Sequence, residues 1–189
     1  MDVTAKKAAY AALFTALTAI GAFIRIPMPL VPFSMQTFFV YMSGTLLGAS
    51  AGFMSQLAYL LLGLAGLPIF TQGGGIGYVI VPTFGYLLAH PPAALVIGKL
   101  SESINFTMAS AWQVFLRIFL VICSGAIIIY GTGTVYLYIC SRFFIGKEIS
   151  FTTALWTGFV IFIPVSLVKI LMATYLTLKI KRNAKILLP

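Results

Sequence analysis

The last apolar stretch of the chain, residues 149–178, contains the two side chains most suited to binding a ligand. Lys169 lies five residues after Pro164 and ten before Lys179. A lysine inside an apolar helix needs an anion, water or a cavity around its ammonium group. Ser166 lies three residues earlier, so both side chains project from one helix face. Together they would suit a small ligand with a carboxylate and polar ring atoms, unless Lys169 simply extends to the membrane surface.

Three other features of the sequence are weaker indications of a ligand-binding site. Gln36 is a single polar side chain in the second apolar stretch, where it could bind a ligand or hydrogen-bond to another helix. The loop 73–77 reads GGGIG, which permits either close approach of the backbone to a ligand or plain flexibility. Because no GKS or GKT follows it, a nucleotide-binding motif is not indicated. His90 precedes two prolines, which predicts a position at a helix end.

The sequence shows none of the residue combinations that catalysis or metal binding requires. The acidic residues are Asp2, Glu102 and Glu148, and the chain has one histidine, so no catalytic triad or pair of carboxylates is apparent. Cys123 and Cys140 stand alone in apolar stretches, which is typical of packing rather than of a metal site. We therefore expect no enzyme activity, no metal and no cofactor. Since no acidic residue lies within an apolar stretch, a proton-driven or sodium-driven carrier is also disfavoured.

The composition predicts an all-α integral membrane protein. Of the 189 residues, 61% are hydrophobic and 8% are charged, whereas average soluble domains contain about 45–50% apolar and about 25% charged residues. A membrane-spanning helix needs about 20 apolar residues, so the chain has room for about six spans. No linker or internal repeat is apparent, and residues 1–189 are predicted to form a single transmembrane domain.

The formal net charge of +9 is better explained by membrane topology than by nucleic-acid binding. Lys6 and Lys7 precede the first apolar stretch, and four basic residues within 179–185 follow the last one. Basic residues gather on the cytoplasmic flanks of membrane helices. Both termini are therefore expected to be cytoplasmic, which requires an even number of spans.

A bundle of six transmembrane helices is predicted. Its spans cover residues 8–26, 34–49, 51–67, 78–99, 108–141 and 149–178. Gly48 and Gly52 separate the second and third spans, which predicts a tight helical hairpin. The last two stretches are longer than one straight span, so breaks are expected at Gly131–Gly133 and at Pro164. Part of 134–163 would then lie at the outer surface or be tilted.

Six sequence segments occur in an order typical of one known family of membrane proteins. They read IPMPLVPFSMQTFFV (26–40), LLLGLAGLPIF (60–70), GGGIG (73–77), PTFGYLL (82–88), IIYGTGTVYL (128–137) and IPVSLVK (163–169). As a set they resemble the BioY family of biotin transporters, which are the substrate-binding or S components of energy-coupling factor (ECF) transporters. The resemblance extends over nearly the whole chain.

The resemblance implies a protein that crosses the cell membrane (the inner or cytoplasmic membrane) several times. Such a protein captures biotin from outside. Family members act alone or with a transmembrane coupling subunit and a pair of ATPases that supply the energy. The implied partners are biotin, membrane lipid and these subunits, without nucleic acid. By motif, the ligand-binding residues would be Gln36, Gly73, Gly74, Gly75, Thr83, Tyr86, Ser166 and Lys169. The segment 25–32 would help to cover the pocket, and Ala8, Ala12 and Ala16 have the four-residue spacing of small residues that contact the coupling subunit.

The chain departs from the family pattern at two positions. The family usually has Asp where this chain has Ser166, and members can carry a polar or basic residue where this chain has Leu87. A serine accepts a hydrogen bond more weakly than a carboxylate. Affinity for biotin could therefore be lower, or the ligand could be another small vitamin. A membrane scaffold that binds no small molecule is a further alternative, and an integral membrane enzyme is the least favoured.

Overall fold

The computed structural model describes residues 3–28, 31–106 and 110–183, and these are mainly helical. The α-helices are α1 (Val3–Phe23), α2 (Gln36–Leu64), α3 (Phe84–Leu88), α4 (His90–Ser101), α5 (Ala111–Phe143), α6 (Phe151–Gly158) and α7 (Ile163–Asn183). Short 3-10 helices cover Ile76–Ile80 and Val160–Phe162. Strands β1 (Arg25–Ile26) and β2 (Phe33–Ser34) pair antiparallel between α1 and α2.

The helical hairpin predicted around Gly48 is confirmed. Helix α2 is interrupted at Gly48, whose φ of 80° lies in the region that favours glycine. The two halves lie side by side, because Gln56 Nε2 donates to Ser43 Oγ at 3.2 Å, whereas 13 residues of straight helix would separate them by about 20 Å. A Cβ at Gly52 would lie 3.1 Å from Gly44 Cα. Small residues therefore allow the close approach of the two halves.

The break predicted at Gly131–Gly133 is wrong. Helix α5 runs without interruption over Ala111–Phe143. In an apolar environment a glycine does not end a helix, because only the helix satisfies the backbone hydrogen bonds there. Gly133 serves packing instead, since the Tyr86 ring occupies the space that a Cβ at this position would need.

The break predicted at Pro164 is present a few residues earlier. Helix α6 ends at Gly158, the 3-10 helix Val160–Phe162 follows, and α7 begins at Ile163. Pro164 is therefore the second residue of α7. At that position its missing N–H leaves no helical hydrogen bond unmade.

Three helical segments of the described residues are long and apolar enough to cross a membrane. They are Gln36–Leu64, Ala111–Phe143 and Phe151–Asn183. The first of them is the folded hairpin α2, and the last contains the break between α6 and α7. The chain is therefore a helical membrane protein by the length and composition of these segments.

The two halves of α2 form the centre of the bundle. Helix α2 packs against α1 and α4, and α5 packs against α3, α4 and α7. Gly98 of α4 lies against the backbone at Gly48 and Ala49, so these helices approach closely at one end of the bundle. Toward the opposite end, α2, α4, α5 and α7 surround a cavity next to the β-hairpin.

Candidate ligand-binding site

A cavity lies where the β-hairpin meets the helices of the bundle. Its polar wall includes Ser34, Gln36, Thr37, Thr83, His90 and Lys169. Its apolar and aromatic wall includes Val31, Pro32, Tyr86, Leu87, Tyr130 and Phe162. A largely apolar cavity with a few converging polar groups is typical of a small-molecule site.

Lys169 supplies a buried positive charge to this cavity. Its side chain is only 4% exposed. Its Nζ donates to Thr37 Oγ1 at 2.7 Å, to the carbonyl oxygen of Ser34 at 3.1 Å and to the Tyr130 hydroxyl at 3.5 Å. All three acceptors are neutral, and no carboxylate of the described ranges pairs with this ammonium group. A buried cation without a counter-ion is unfavourable, so the site suits a negatively polarised atom of a ligand.

Ser166 and Lys169 share a helix face, as their spacing predicted, and both contact Tyr130. The Ser166 hydroxyl donates to the Tyr130 hydroxyl at 2.7 Å. Ser166 is buried, but it lies behind Tyr130 in an apolar groove between α5 and α7 rather than in the cavity wall. Its effect on a ligand would therefore pass through the Tyr130 hydroxyl.

The β-hairpin covers the cavity and is attached to α7 and to the adjoining 3-10 helix. Val31 and Pro32, from the segment expected to cover the pocket, lie in the cavity wall. The Phe33 ring packs edge-on against the Phe162 ring, with centroids 4.6 Å apart. Ser34 adds the carbonyl group that accepts from the Lys169 ammonium. These two contacts attach the hairpin to the 3-10 helix Val160–Phe162 and to α7.

Gln36 lies in the cavity wall and also joins neighbouring segments. Its Oε1 accepts from the Ser34 hydroxyl at 2.8 Å, and its Nε2 donates to the Tyr59 hydroxyl at 2.5 Å. The Tyr59 hydroxyl in turn donates to the carbonyl oxygen of Ile69 at 2.8 Å. Because a glutamine amide has two donor hydrogens and two acceptor lone pairs, one of each stays free for a ligand.

Thr83 and Tyr86 both lie in the cavity wall. The Tyr86 hydroxyl donates to the carbonyl oxygen of Gly158 at 2.8 Å, which fixes the ring between α3 and the end of α6. The Thr83 hydroxyl lies 3.2 Å from the Tyr78 hydroxyl, which lies 3.1 Å from the Thr71 hydroxyl. Thr71 also lines the cavity. This chain of hydroxyls forms a second polar part of the wall.

The glycine loop lies outside the cavity wall. Gly73 and Gly75 have φ values of 120° and 96°, which favour glycine. The Gly75 N–H donates to the carbonyl oxygen of Gly63 at 2.7 Å, so the loop folds back onto the end of α2. Gly74 is exposed. The conformation of the loop therefore explains why glycine occurs at these positions. Contact of these glycines with a ligand stays a prediction.

Three wall residues carried no ligand-binding signal in the sequence. Thr37 and Tyr130 are ordinary hydroxyl residues of apolar helices, and only the meeting of α2, α5 and α7 places them at Lys169. His90 is the first residue of α4, as the prolines after it predicted. Its place in the cavity wall depends on how α3 and α4 pack, which its sequence context does not reveal.

Comparison with known proteins assigns the family. The sequence profile of the BioY family matches residues 1–186. The chain belongs to the BioY family. A probable biotin transporter BioY of Lysinibacillus sphaericus is 47% identical over 149 residues, which are 79% of this chain and 73% of that protein. The biotin transporter BioY of Thermotoga maritima is 35% identical over 173 residues, which are 91% of this chain and 94% of that protein.

A solved structure agrees with the BioY assignment. It is the crystal structure of the S-component for biotin from an ECF-type ABC transporter. It superposes with a TM-score of 0.83 at 26% sequence identity, and the match covers 95% of this chain and 92% of that one. The helices of this BioY-family chain therefore follow the arrangement of that S component.

Proposed function

We propose that this chain is a biotin-binding S component that mediates biotin uptake across the cell membrane. The observation that carries the proposal is the buried ammonium group of Lys169, which faces a cavity and has only neutral hydrogen-bond partners among the described residues. Membership of the BioY family and the names of the relatives support biotin as the ligand. High affinity follows if a ligand oxygen completes the coordination of this ammonium group.

The chemistry of the cavity fits biotin. Biotin has a carboxylate and a ureido group, which are separated by an apolar ring and chain. Lys169 would donate to an oxygen of one of these two groups. Leu87, Tyr86 and Phe162 would pack against the apolar part, since all three lie in the wall.

Access to the cavity would require movement of the β-hairpin. Two of the contacts that hold it, Phe33 with Phe162 and Ser34 with Lys169, lie directly at the site. A ligand oxygen at the Lys169 ammonium would strengthen the polar cluster that also binds Ser34. Binding and closure of the hairpin would thus support each other.

The proposed topology has six crossings and cytoplasmic termini. The crossings are α1, the two halves of α2, α3 together with α4, α5 and α7. Support comes from the fold of α2 at Gly48 and from the basic residues at both ends, Lys6 and Lys7 before α1 and Lys179 near the end of α7. The β-hairpin and the cavity would then face the outside, where biotin is captured.

Transport energy would come from other subunits. No acidic residue lies in the proposed crossings, so ion-driven transport is disfavoured. Ala8, Ala12 and Ala16 are exposed along α1, where small side chains would let a helix of a transmembrane coupling subunit approach closely. A pair of ATPases would act through that subunit, and without them the protein would act alone.

Equilibrium binding of labelled biotin to the purified protein in detergent tests the proposal. We expect saturable one-to-one binding that unlabelled biotin displaces and that other vitamins at the same excess do not. A second candidate, uptake of another small vitamin, is favoured by Ser166, which lies behind Tyr130 and carries no charge. Displacement by a different vitamin would establish that candidate. Folded protein that binds none of the vitamins would contradict both.

A further inference from the structure

His90 is a buried polar residue whose hydrogen-bonding capacity is not fully used by the part of the chain that the structure describes. It is 2% exposed and lies in the cavity wall at the first position of α4. Its Nδ1 has no hydrogen-bond partner within the described parts of the chain. Buried polar atoms nearly always have a partner, so a specific unpaired one in a cavity wall calls for an explanation.

The His90 ring is held in a fixed orientation. It stacks on the Tyr59 ring, with centroids 6.3 Å apart and an angle of 26° between the planes. The Tyr59 hydroxyl is itself fixed by its hydrogen bonds with Gln36 and Ile69. An imidazole that is positioned before a ligand arrives loses little conformational freedom on binding.

Two of the polar groups in the cavity wall come from different helices, α7 and α4. One is the ammonium group of Lys169 with the hydroxyls of Thr37 and Tyr130. The other is the His90 imidazole beside Tyr59. A ligand with polar atoms at both ends of an apolar body can pair with both groups, whereas a ligand that is polar at one end leaves one group unpaired.

We infer that His90 binds a polar atom of the ligand and is a specificity-determining residue of the site. The inference rests on the proposed function, because it takes biotin as the ligand that fills the cavity. The imidazole is the contact, and Tyr59 is the positioning residue that orients the ring.

Two variants separate the hydrogen bond from the ring. His90→Phe keeps an aromatic ring that can stack on Tyr59 but removes both nitrogens. His90→Asn keeps polar atoms close to the position of Nδ1. We expect His90→Phe to weaken biotin binding by about tenfold or more, and His90→Asn to restore at least part of the loss. The thermal unfolding midpoint without biotin should not fall in His90→Phe, since the substitution removes a buried polar atom that has no partner among residues 3–28, 31–106 and 110–183.

Ser101 offers a matched control on the same helix. Its Oγ is also buried and has no hydrogen-bond partner among the described residues. It lies eleven residues after His90, which is about 16 Å along α4, and it is not part of the cavity wall. Ser101→Ala should bind biotin as tightly as the parent protein.

Binding of biotin and of biotinamide, which lacks the carboxylate, decides the outcome. If His90→Phe loses less affinity for biotinamide than for biotin, His90 contacts the carboxylate. If the loss of affinity is equal for the two ligands, His90 contacts the ureido ring. Either result supports the inference. Unchanged biotin binding in His90→Phe, or equally weak binding in His90→Asn and His90→Phe, would overturn it. Absence of biotin binding by the parent protein would instead contradict the proposed function.

Discussion

The ammonium group of Lys169 donates to the carbonyl oxygen of Ser34 at 3.1 Å, although the two residues are 135 positions apart in the chain. Lys169 belongs to the last helix, and Ser34 ends the hairpin that covers the cavity. The residue that we assign to ligand binding therefore also holds the cover of the site. This relationship connects ligand capture to closure of the cavity.

Loss of the aromatic contact of the cover should speed up the release of biotin. Phe33→Ala removes the edge-on contact with Phe162, and we expect the dissociation rate of biotin to rise by roughly tenfold. The measurement is a chase of bound labelled biotin with an excess of unlabelled biotin. Ile26→Ala, on the paired strand and exposed, is the control and should release biotin at the parental rate. Equal rates in both variants would show that the cover does not limit release.

Substitution by alanine at two nearby glycines of α5, Gly131 and Gly133, should change the stability of the protein in opposite directions. A Cβ at Gly131 meets nothing within 4 Å, whereas a Cβ at Gly133 would overlap the Tyr86 ring. Gly131→Ala should stabilise the helix by up to about 1 kcal/mol. Gly133→Ala should lower the thermal unfolding midpoint and weaken biotin binding, because Tyr86 lies in the cavity wall. A Gly133→Ala protein that behaves like Gly131→Ala would contradict the packing described here.

Much of the fold was predictable from the sequence because membrane helices follow simple rules of length and polarity. The apolar stretches indicated a helical membrane protein, and Gly48 indicated the hairpin. The break at Gly131–Gly133 was predicted wrongly, because length alone does not reveal whether a long helix bends or extends beyond the membrane. Gly133 is required by the Tyr86 ring, a contact between distant parts of the chain.

The site was predictable only where a residue contrasted with its surroundings. Lys169 did so, since charged residues are rare in apolar helices. Thr37 and Tyr130 did not, because hydroxyl side chains are common in membrane helices and become part of the site only when helices meet. His90 was the single histidine of the chain, yet its neighbouring prolines explained it as a helix-end residue.

Glu102 should stabilise the turn of the α2 hairpin. Its Oε1 accepts from the Ala49 N–H at 2.9 Å, at the start of the second half of α2. A side-chain acceptor at a helix start contributes about 1 kcal/mol, so Glu102→Ala should lower the unfolding midpoint by roughly 3 °C. Glu148→Ala, which changes an exposed carboxylate in a loop, is the matched control and should leave the midpoint unchanged. Equal midpoints for the two variants would argue against a role of Glu102 at this turn.

The proposed topology predicts opposite labelling of two introduced cysteines. Ala5 lies near the start of α1 and Lys147 in the loop after α5, and both are exposed. A membrane-impermeant maleimide should label Lys147→Cys in intact cells and Ala5→Cys only after permeabilisation. The parent protein, with Cys123 and the buried Cys140, controls for background labelling. Labelling of Ala5→Cys in intact cells would contradict cytoplasmic termini.

The most direct test of the account is the affinity of Lys169→Met for biotin, measured by equilibrium binding to the purified protein. Methionine keeps most of the volume and removes the charge, so the protein should stay folded. Because a buried charged hydrogen bond to the ligand is lost, we expect binding to weaken at least about a hundredfold. Lys179→Met, an exposed lysine on the same helix, should bind biotin like the parent protein. Parental affinity in Lys169→Met would contradict the assignment of this cavity as the biotin site.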